Sequence, residues 1–404
     1  MKKILFVMNT MGRAGAERAL LALIKNLPKE EFDISLYVLI NRGELFDEVP
    51  DHVHILNKKP DNRSVLSFGG RLAIIHTVLR CFFRHASGFR LIGYFFKNLK
   101  IQLCAHRLLP DKLLWRTIAN GSVKLQDTYD LAVAYIEGAS TYYIAERIQA
   151  KKKAAFVHID YQKAGYNKTV DLDAYQKIDR VFAVSKEARE SFLRVYPEYN
   201  KKTFLFRNLH DTNRIASLAK KPLPDNSAFV KSSACYKLLT VGRLNYQKAY
   251  DIAIDALAIL RKRNIDADWF VLGEGSLQKE LTRQIAKKGL SDHFFLLGST
   301  NNPYPYYRAA TIYVHATRFE GKSIAIEEAQ LLSKAIVASD CTGNREQIQS
   351  GTNGILVTLT PEAIANGIET LLANPSLIQK YEQAGRQTLL THPKDMDAFL
   401  ELLE

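Results

Sequence analysis

Residues 237–263, KLLTVGRLNYQKAYDIAIDALAILRKR, decide the fold class of this 404-residue chain. Lys237–Val241 is a short apolar run typical of a buried strand, and from about Tyr250 to Arg263 apolar residues recur at helical spacing. The loop Gly242–Lys248 joins the two segments. A strand that passes through a glycine-containing loop into a helix is the unit from which parallel α/β sheets are built. The stretch therefore predicts a doubly wound α/β domain.

The same alternation of strands and helices continues on both sides of this stretch. It predicts two Rossmann-like domains facing across a cleft, and 404 residues provide enough chain for two cores. We expect an N-terminal domain over 1–210 and a C-terminal domain over 237–385. Residues 211–236 contain prolines, serines and a basic run, which is typical of a linker.

The composition excludes several classes of protein. A content of 47% hydrophobic and 24% charged residues is that of an ordinary globular protein. The four cysteines show no C-x-x-C spacing, which argues against a zinc cluster or a disulfide framework and fits a reducing cytosol. No run of ~18 apolar residues predicts a transmembrane helix. The apolar run Ile4–Met8 is too short for a signal-peptide core, so we expect a buried first strand.

Most of the net charge of +14 lies in one segment, residues 71–124. This segment holds ten Lys or Arg against one acid, Asp111, and so carries nine of the net positive charges. It is also rich in Phe, Leu and Tyr, and it falls within an insert at about 60–125. Cationic, aromatic helices suit an anionic membrane surface. Nucleic acid is another common partner of such charge, and solvated helices covering the N-terminal domain are the simplest alternative.

The first candidate motif is the loop Gly242–Lys248. Because it follows a strand, it should lie at the rim of the sheet, where open parallel sheets bind ligands. Arg243 and Lys248 could pair with a diphosphate there and stabilise the charge of a leaving group. The alternative is that both are ordinary surface cations at the start of a helix.

The second candidate motif is residues 318–329, RFEGKSIAIEEA. Glu320 and Glu328 flank the start of a predicted helix, and the backbone N–H groups of residues 321–324 could face an anion. Carboxylates are good acceptors for vicinal hydroxyls, so Glu320 could hold a sugar and Glu328 a ribose. The alternative is that these acids only complement the helix dipole, which explains Glu327 well.

Together, Gly242–Lys248 and the pair Glu320 and Glu328, separated by seven residues, resemble the signatures of retaining glycosyltransferase family 4, which has the GT-B fold. The N-terminal stretch 12–18, GRAGAER, resembles the glycine-rich first loop of that family. Gly273–Gly275 resembles a loop that lies near the donor. The resemblance implies a final helix within 386–404 that crosses back to the N-terminal domain.

The sequence departs from the family pattern at three places. Ala249 follows Lys248 where glycine is usual, and Lys322–Ser323 stands where Phe-Gly is frequent. The first loop has Arg13–Ala14 between its glycines. Lys322 adds a further candidate contact to phosphate. These departures leave the donor open.

The resemblance implies roles for individual residues. Arg243 and Lys248 would bind the donor diphosphate, Glu320 the donor sugar and Glu328 the ribose, and Gly15 would approach the diphosphate from the other domain. The implied catalytic set is His158, Arg243, Lys248 and Glu320. The implied donor-binding set is Gly15, Arg243, Lys248, Glu274, Gly321, Lys322, Ser323, Ile324 and Glu328. The acceptor-side set is Gly12, Arg13, Glu137 and Asp160.

His158 is the main candidate of the N-terminal domain. It follows the predicted strand Ala154–Ile159, where the family often has a functional histidine. It could donate a hydrogen bond to the sugar, while Asp160 could steady it or contact the acceptor. A structural histidine at a strand end is the alternative. Glu137, after another predicted strand, is a second candidate whose alternative is a place in a helix cap.

The resulting hypothesis is a retaining, metal-independent hexosyltransferase that needs no cofactor. It would transfer a hexose or N-acetylhexosamine from a nucleotide-diphosphate sugar, with UDP favoured, to a lipid-linked or cell-surface glycan precursor. We expect it in the cytoplasm, held peripherally on the inner face of the cell membrane through residues 71–124, with no nucleic acid as partner. The alternatives are a GT-B-like epimerase or phosphorylase, and a non-catalytic protein on the same fold that binds membranes or nucleic acid.

Overall fold

The computed structural model describes residues 1–13, 15–65, 67–84, 88–104, 109–320, 322–389 and 394–404. The chain divides into two compact units. Unit 1 consists of Met1–His210 and Pro393–Glu404, and unit 2 of Asp211–His392. Each unit contains one parallel sheet with helices between its strands, which is the Rossmann-like architecture that the sequence predicts.

Unit 1 is built on a seven-stranded sheet with the order β3-β2-β1-β4-β5-β6-β7. Its strands are β1 (Lys2–Met8), β2 (Phe32–Val38), β3 (His54–Ile55), β4 (Thr128–Ala134), β5 (Gln149–Val157), β6 (Arg180–Ala183) and β7 (Thr203–Leu205). Its helices include α1 (Gly15–Asn26), α2 (Phe68–Phe83), α3 (Ile92–Cys104), α4 (Pro110–Gly121), α5 (Ala139–Arg147), α6 (Lys168–Asp171) and α7 (Lys186–Val195). The winding reverses between β1 and β4.

Unit 2 is built on a six-stranded sheet with the order β10-β9-β8-β11-β12-β13. Its strands are β8 (Tyr236–Val241), β9 (Ala267–Leu272), β10 (Phe294–Leu296), β11 (Ile312–His315), β12 (Ala335–Ser339) and β13 (Ile355–Val357). Its helices include α8 (Thr212–Ala219), α9 (Ala228–Lys231), α10 (Tyr250–Lys262), α11 (Gln278–Lys287), α12 (Tyr304–Ala309), α13 (Ile324–Leu331), α14 (Thr342–Gln347), α15 (Pro361–Leu372) and α16 (Pro375–Leu389). The winding reverses between β8 and β11.

The sheets are covered on both faces, which explains why their strands are continuous apolar runs. In β1, Leu5 and Val7 pack into one core cluster, whereas Ile4 and Phe6 pack into another on the opposite face. Each of these side chains is fully buried. Burying such a side chain contributes about 1.5–3 kcal/mol, so the alternating strand residues stabilise both layers at once.

The segment 211–236, expected to be a linker, instead belongs to unit 2 and contains α8 and α9. Asp211 accepts a hydrogen bond from the Arg214 backbone N–H (3.0 Å) and caps α8. Phe229 of α9 is buried against Phe270, with 4.6 Å between ring centroids. Polar residues of this segment thus serve as helix caps around a few buried anchors.

The C-terminal residues include a helix within 386–404 that belongs to the N-terminal unit, as the resemblance implies. Helix α16 continues to Leu389 in unit 2, and a separate helix, α17 (Lys394–Leu400), belongs to unit 1. Phe399 stacks on Phe6, with 6.4 Å between ring centroids. Asp395 pairs with Arg207 at 3.0 Å.

The insert at about 60–125 contributes α2, α3 and α4, and α4 packs between α2 and α5. Arg116 of α4 is buried, forms an ion pair with Glu146 and lies 4.0 Å from the centre of the Tyr142 ring. One cation of the basic segment is therefore part of the core of unit 1.

Candidate active site

Both candidate motifs of unit 2 lie where the winding of its sheet reverses. Strands β8 and β11 are neighbours there, with Leu239 beside Tyr313. The loop Gly242–Lys248 follows β8, and the loop that carries Glu320 follows β11. Because parallel strands end at the same edge of a sheet, this topology brings the two motifs together.

The loop after β8 has a defined conformation. The Asn245 side chain accepts a hydrogen bond from the Lys248 backbone N–H (3.3 Å) and caps a short 3₁₀ turn. Ala249 then adopts a left-handed conformation, with φ of 45°, and is buried. This conformation explains why glycine would suit the position. A Cβ atom on Gly273 would lie 2.0 Å from the Gly242 carbonyl oxygen, so Gly273 permits the next loop to pack closely.

Glu320 is the centre of a polar cluster. It forms an ion pair with Lys248, and its Oε2 lies 3.2 Å from His315 Nε2. Gln247 donates to its Oε1 at 3.2 Å. The side chains of Lys248 and Glu320 are 14% and 13% exposed, so both are largely shielded from bulk water while a small part of each stays accessible.

The electrostatics of this cluster favour an ionised Glu320 and a neutral His315. Burial would raise the pKa of Glu320, but the hydrogen bond from His315 and the charge of Lys248 lower it to about 2. Burial and the same lysine lower the pKa of His315. A neutral His315 that donates from Nε2 to Glu320 can accept from the Tyr313 hydroxyl at Nδ1 (3.1 Å).

Sequence reasoning did not assign His315 or Gln247 to this site. In the sequence, His315 simply follows the apolar run Ile312–Val314. It is buried, and its contact with Glu320 makes it a positioning residue. The available signal was its place at the last residue of β11, five positions before Glu320.

Arg243 is exposed at the start of the β8 loop. Within the part of the chain that the structure describes, no group forms a hydrogen bond or ion pair with its guanidinium. Its charge is therefore available to a ligand, whereas the charge of Lys248 is shared with Glu320.

Glu328 lies in α13 and is buried. The hydroxyls of Tyr304 and Tyr307 donate to its carboxylate at 3.1 and 3.3 Å. These two bonds fix the orientation of the Glu328 carboxylate.

The residues between Glu320 and α13 are engaged within unit 2. Lys322 Nζ lies 2.5 Å from Oε1 of the buried Glu327, so the expected phosphate contact is instead a buried ion pair. The Ser323 backbone N–H donates to the Gln347 side chain at 2.7 Å, and therefore it does not face an anion. Ile324 begins α13. The predicted residue Gly321 lies outside the described residues.

Glu274 occupies the loop after β9 and is exposed. Ser299 donates to its Oε1 through its hydroxyl, at 2.7 Å, and these contacts lower the pKa of Glu274. Its backbone carbonyl accepts from the Leu244 N–H at 3.0 Å, which joins this loop to the loop after β8.

The corresponding reversal in unit 1 lies between β1 and β4 and holds different chemistry. Glu137, after β4, is buried and accepts a hydrogen bond from the His158 backbone N–H (3.0 Å). Burial raises the pKa of Glu137 and lowers the pKa of His158 to about 4. Among the described residues, no group hydrogen-bonds to the buried Nε2 of His158.

Asp160 does not contact the His158 side chain as the sequence suggested. Its carboxylate accepts from the Ser191 hydroxyl (2.5 Å) and from the Lys163 backbone N–H (3.0 Å). Lys163 Nζ also lies 3.1 Å from it. Asp160 thus orders its own turn and joins it to Ser191 of α7.

The glycine-containing first loop follows β1. Gly12 is partly buried, Arg13 is exposed, and Gly15 begins α1. Glu17, not singled out from the sequence, is buried and accepts from the Thr10 hydroxyl at 3.1 Å. Burial raises the pKa of Glu17 to about 7. The loop after β1 therefore leads into a helix whose first turn holds a buried carboxyl group with a pKa near neutral pH.

Two further properties bear on ligands. Within the described ranges of the chain, no group of three or more His, Cys, Asp or Glu side chains could hold a metal ion. No helix among the described residues is long and apolar enough to cross a membrane.

Parts of the chain are similar to known proteins. Residues 228–388 match the model of the family "Glycosyl transferases group 1". The alpha-D-kanosaminyltransferase of Streptomyces kanamyceticus is 30% identical over 147 residues, which cover 35% of this chain and 38% of that protein. The chain spans between 38% and 47% of the length of three curated relatives with such partial matches. An uncharacterised glycosyltransferase of Haemophilus influenzae is 22% identical over 396 residues, 96% of this chain and 95% of its own length.

The fold is shared with solved glycosyltransferases. The structure of Anabaena Alr3699/HepE in complex with UDP and glucose has a TM-score of 0.68 and 19% identity, and the likeness covers 99% of this chain and 100% of that chain. A crystal structure of a mutant of the Staphylococcus aureus protein TarM has a TM-score of 0.66 and 13% identity over the full length of both chains. These likenesses confirm the predicted GT-B fold class.

Proposed function

We propose that the chain is a retaining glycosyltransferase that transfers a hexose or N-acetylhexosamine from a UDP-sugar. The observation that carries the proposal is the cluster of Lys248, Glu320 and His315 at the winding reversal of unit 2, beside an exposed Arg243. It combines cations for a diphosphate with a fixed carboxylate for sugar hydroxyls. The family match over this region and a fold neighbour that binds UDP and glucose support the donor class.

In the proposed reaction, Arg243 and Lys248 bind the diphosphate of the donor. Arg243 contributes a full charge, and Lys248 is held close to Glu320 until the more highly charged diphosphate competes for it. Lys322 adds little, because the ion pair with Glu327 neutralises it. We assign Glu328 to the ribose, since its two tyrosine contacts fix its orientation.

Glu320 then accepts hydrogen bonds from hydroxyls of the donor sugar. Because its pKa is about 2, it remains ionised over the whole physiological range. The bond between the anomeric carbon and the phosphate oxygen breaks, and the acceptor hydroxyl oxygen bonds to that carbon on the same face. Its proton passes to the departing phosphate oxygen. Since the two cations stabilise that phosphate, we expect no requirement for a metal ion or another cofactor.

We assign the acceptor to unit 1, where the Nε2 of His158 has no hydrogen-bond partner among the described residues and the loop with Gly12 and Arg13 leads into α1 at Gly15. The proposed acceptor is a lipid-linked or cell-surface glycan precursor, of the kind used for a capsule or cell-wall polymer. The proposed location is the cytoplasmic face of the cell membrane, since the basic segment 71–124 would dock on anionic lipid.

The test is a panel of UDP-sugars and other nucleotide-sugars, with the nucleotide diphosphate released and the anomeric configuration of the product as readouts. We expect one UDP-sugar to support turnover, and Lys248→Ala to lower that turnover on the order of 10²–10³-fold. Lys288→Ala is the matched control, because that lysine pairs with Asp255 at 2.9 Å on the surface of the same unit. Turnover that survives Lys248→Ala unchanged, or release of a sugar phosphate in place of UDP, contradicts the proposal.

A further inference from the structure

Large apolar side chains are exposed in one part of unit 1 far more than elsewhere. Of the sixteen exposed large hydrophobic side chains within the described part of the chain, ten lie between positions 72 and 103. They are Leu72, Ile75, Leu79, Phe83, Phe89, Ile92, Phe96, Leu99, Ile101 and Leu103. Contiguous exposed apolar surface of this kind marks an interaction site.

Helix α3 differs from an ordinary surface helix in that it buries polar side chains and exposes apolar ones. Its inward residues include two amides: Asn98 is 1% exposed and bonds to the carbonyls of Tyr94 and Thr169. Gln102 is also buried, and its amide bonds to the backbone of Leu109. Phe96, in contrast, is 71% exposed. The helix therefore buries two amides, with the Oδ1 of Asn98 left without a hydrogen-bond partner among the described residues, while most of its apolar side chains stay outside.

The exposed residues of α3 follow the geometry of an interfacial helix. Ile92, Phe96, Leu99 and Leu103 recur at intervals of three and four and form one stripe along the helix. Lys97 and Lys100 are exposed beside this stripe. Lysines in this position can keep their ammonium groups at the headgroups while the apolar stripe enters the acyl boundary.

Helix α2 repeats the pattern, and aromatic contacts join the two helices. Leu72, Ile75, Leu79 and Phe83 form its exposed stripe, and Arg80 is exposed beside it. The ring centroid of Phe83 lies 6.4 Å from that of Phe89, which begins the 3₁₀ turn before α3. The two stripes are thus connected at the end of α2.

We infer that the outer stripes of α2 and α3 form a membrane-contact face that inserts shallowly into an anionic bilayer. From Phe68 to Pro110 the sequence contains no Asp or Glu, so the charge next to the apolar stripes is of one sign only. That charge selects an anionic lipid surface over a second copy of this chain, because two copies would bring like charges together. Arg116, which is buried, takes no part. The inference rests on the proposed function only for the role of this face, which is to bring the enzyme to a lipid-linked acceptor.

The experiment is flotation of the full chain with large unilamellar vesicles of phosphatidylcholine, with and without phosphatidylglycerol. We expect binding to the anionic vesicles that weakens as salt is added. Phe96→Ser/Leu103→Ser should weaken it by at least about tenfold, because binding scales with buried apolar area. Val123→Ser/Val230→Ser, which removes exposed apolar groups elsewhere, should leave it unchanged.

A second pair of variants tests the charge. Lys97→Glu/Lys100→Glu should weaken binding by at least about tenfold, since each cation near an anionic surface contributes roughly a factor of five. Lys279→Glu/Lys287→Glu makes the same change on α11 and should have a much smaller effect. In Phe96→Trp, anionic vesicles should shift the emission of the new indole to shorter wavelength.

Three results would overturn the inference. The first is vesicle binding that both the serine and the glutamate variants of α3 leave unchanged. The second is a dimer without vesicle affinity that Phe96→Ser/Leu103→Ser dissociates, which would assign the face to a second copy. The third is binding to RNA but not to vesicles. UDP affinity, measured in parallel by calorimetry, separates the two proposals, because these variants should retain it whether or not the face binds lipid.

Discussion

The two units share one architecture but hold opposite chemistry at the point where their sheets reverse. In unit 2, the loops after β8 and β11 bring together an ionised Glu320, Lys248 and an exposed Arg243. In unit 1, the first turn of α1 and the loop after β4 hold buried carboxyls at Glu17 and Glu137, whose pKa values are raised. The first arrangement favours a phosphate-bearing ligand, whereas the second favours a neutral, hydroxyl-rich one.

In both units the topology of the sheet determines where the site lies, whereas a few side chains determine its chemistry. In both units, the loops beside the reversal lie at the carboxyl ends of their strands, where doubly wound sheets bind ligands. The difference between them comes from what surrounds each carboxylate. Glu320 has a lysine and a histidine as partners, and its pKa falls to about 2. Glu17 has one hydroxyl, and burial raises its pKa to about 7.

The largest expected effect concerns the charge of Glu320. Glu320→Gln keeps the shape of the side chain but removes its charge, so we expect sugar transfer to fall on the order of 10²–10³-fold. UDP affinity should change much less, because the assigned contact is with the sugar. The measurement is the rate of UDP release together with calorimetric UDP binding. Glu382→Gln, at a carboxylate of unit 2 that lies 3.7 Å from Lys334, is the control. Equal rates for the wild type and Glu320→Gln would contradict the assignment.

The next effect concerns the proton on Glu17. The folded state holds this proton up to about pH 7, whereas the unfolded chain releases it near pH 4.5, so the free energy of unfolding decreases as the pH rises through this window. Glu17→Gln removes that dependence and should stabilise the chain by up to about 3 kcal/mol at pH 8, with little effect at pH 4. Urea unfolding at both pH values measures it, with the exposed Glu30→Gln as control. An equal increase in the free energy of unfolding at both pH values would show that Glu17 does not titrate between them.

A smaller effect should separate the acceptor side from the donor side. His158→Gln removes the imidazole Nε2, and one such hydrogen bond contributes about 1.5 kcal/mol, so we expect roughly tenfold slower transfer. UDP affinity should stay at the wild-type value, because the diphosphate contacts are assigned to unit 2. His54→Gln, at an exposed histidine of unit 1, is the control. Loss of UDP affinity in His158→Gln would break the division between the units.

The smallest effect concerns the backbone at Ala249. Its left-handed conformation costs roughly 1–2 kcal/mol for a residue with a side chain. Ala249→Gly relieves this strain but loses a buried methyl group and adds freedom to the unfolded chain, so stability should change by less than about 1 kcal/mol. Ala249→Val should destabilise by more than about 2 kcal/mol. Thermal unfolding of the two variants checks this, and a well-tolerated valine would argue against the left-handed turn.

Strand and helix periodicity predicted both sheets and the position of the two motifs of unit 2. It could not predict which side chains come into contact, even where they lie only five residues apart in sequence. Lys322 carries the charge expected of a phosphate contact, but only the packing of α13 shows that Glu327 neutralises it. His315 looked like a strand residue, because its contact with Glu320 arises from the fold of the following loop.

The segment 211–236 and helix α3 are two further places where the sequence did not predict which side chains would be buried. Prolines and serines suggested a linker, yet Asp211 and Ser227 cap helices whose anchors, such as Phe229, are buried. In α3, composition predicted a basic aromatic surface but not which face would point outward. Burial of Asn98 and Gln102 became evident only from their backbone partners.

Calorimetric titration of UDP into the wild type and into Arg243→Ala/Lys248→Ala tests the central claim most directly, namely that the loop after β8 binds the diphosphate. We expect saturable binding by the wild type and at least about 100-fold weaker binding by the double variant, since each charged contact contributes about 1.5–3 kcal/mol. Lys288→Ala should bind UDP as the wild type does. A double variant that binds UDP as tightly as the wild type would contradict the account.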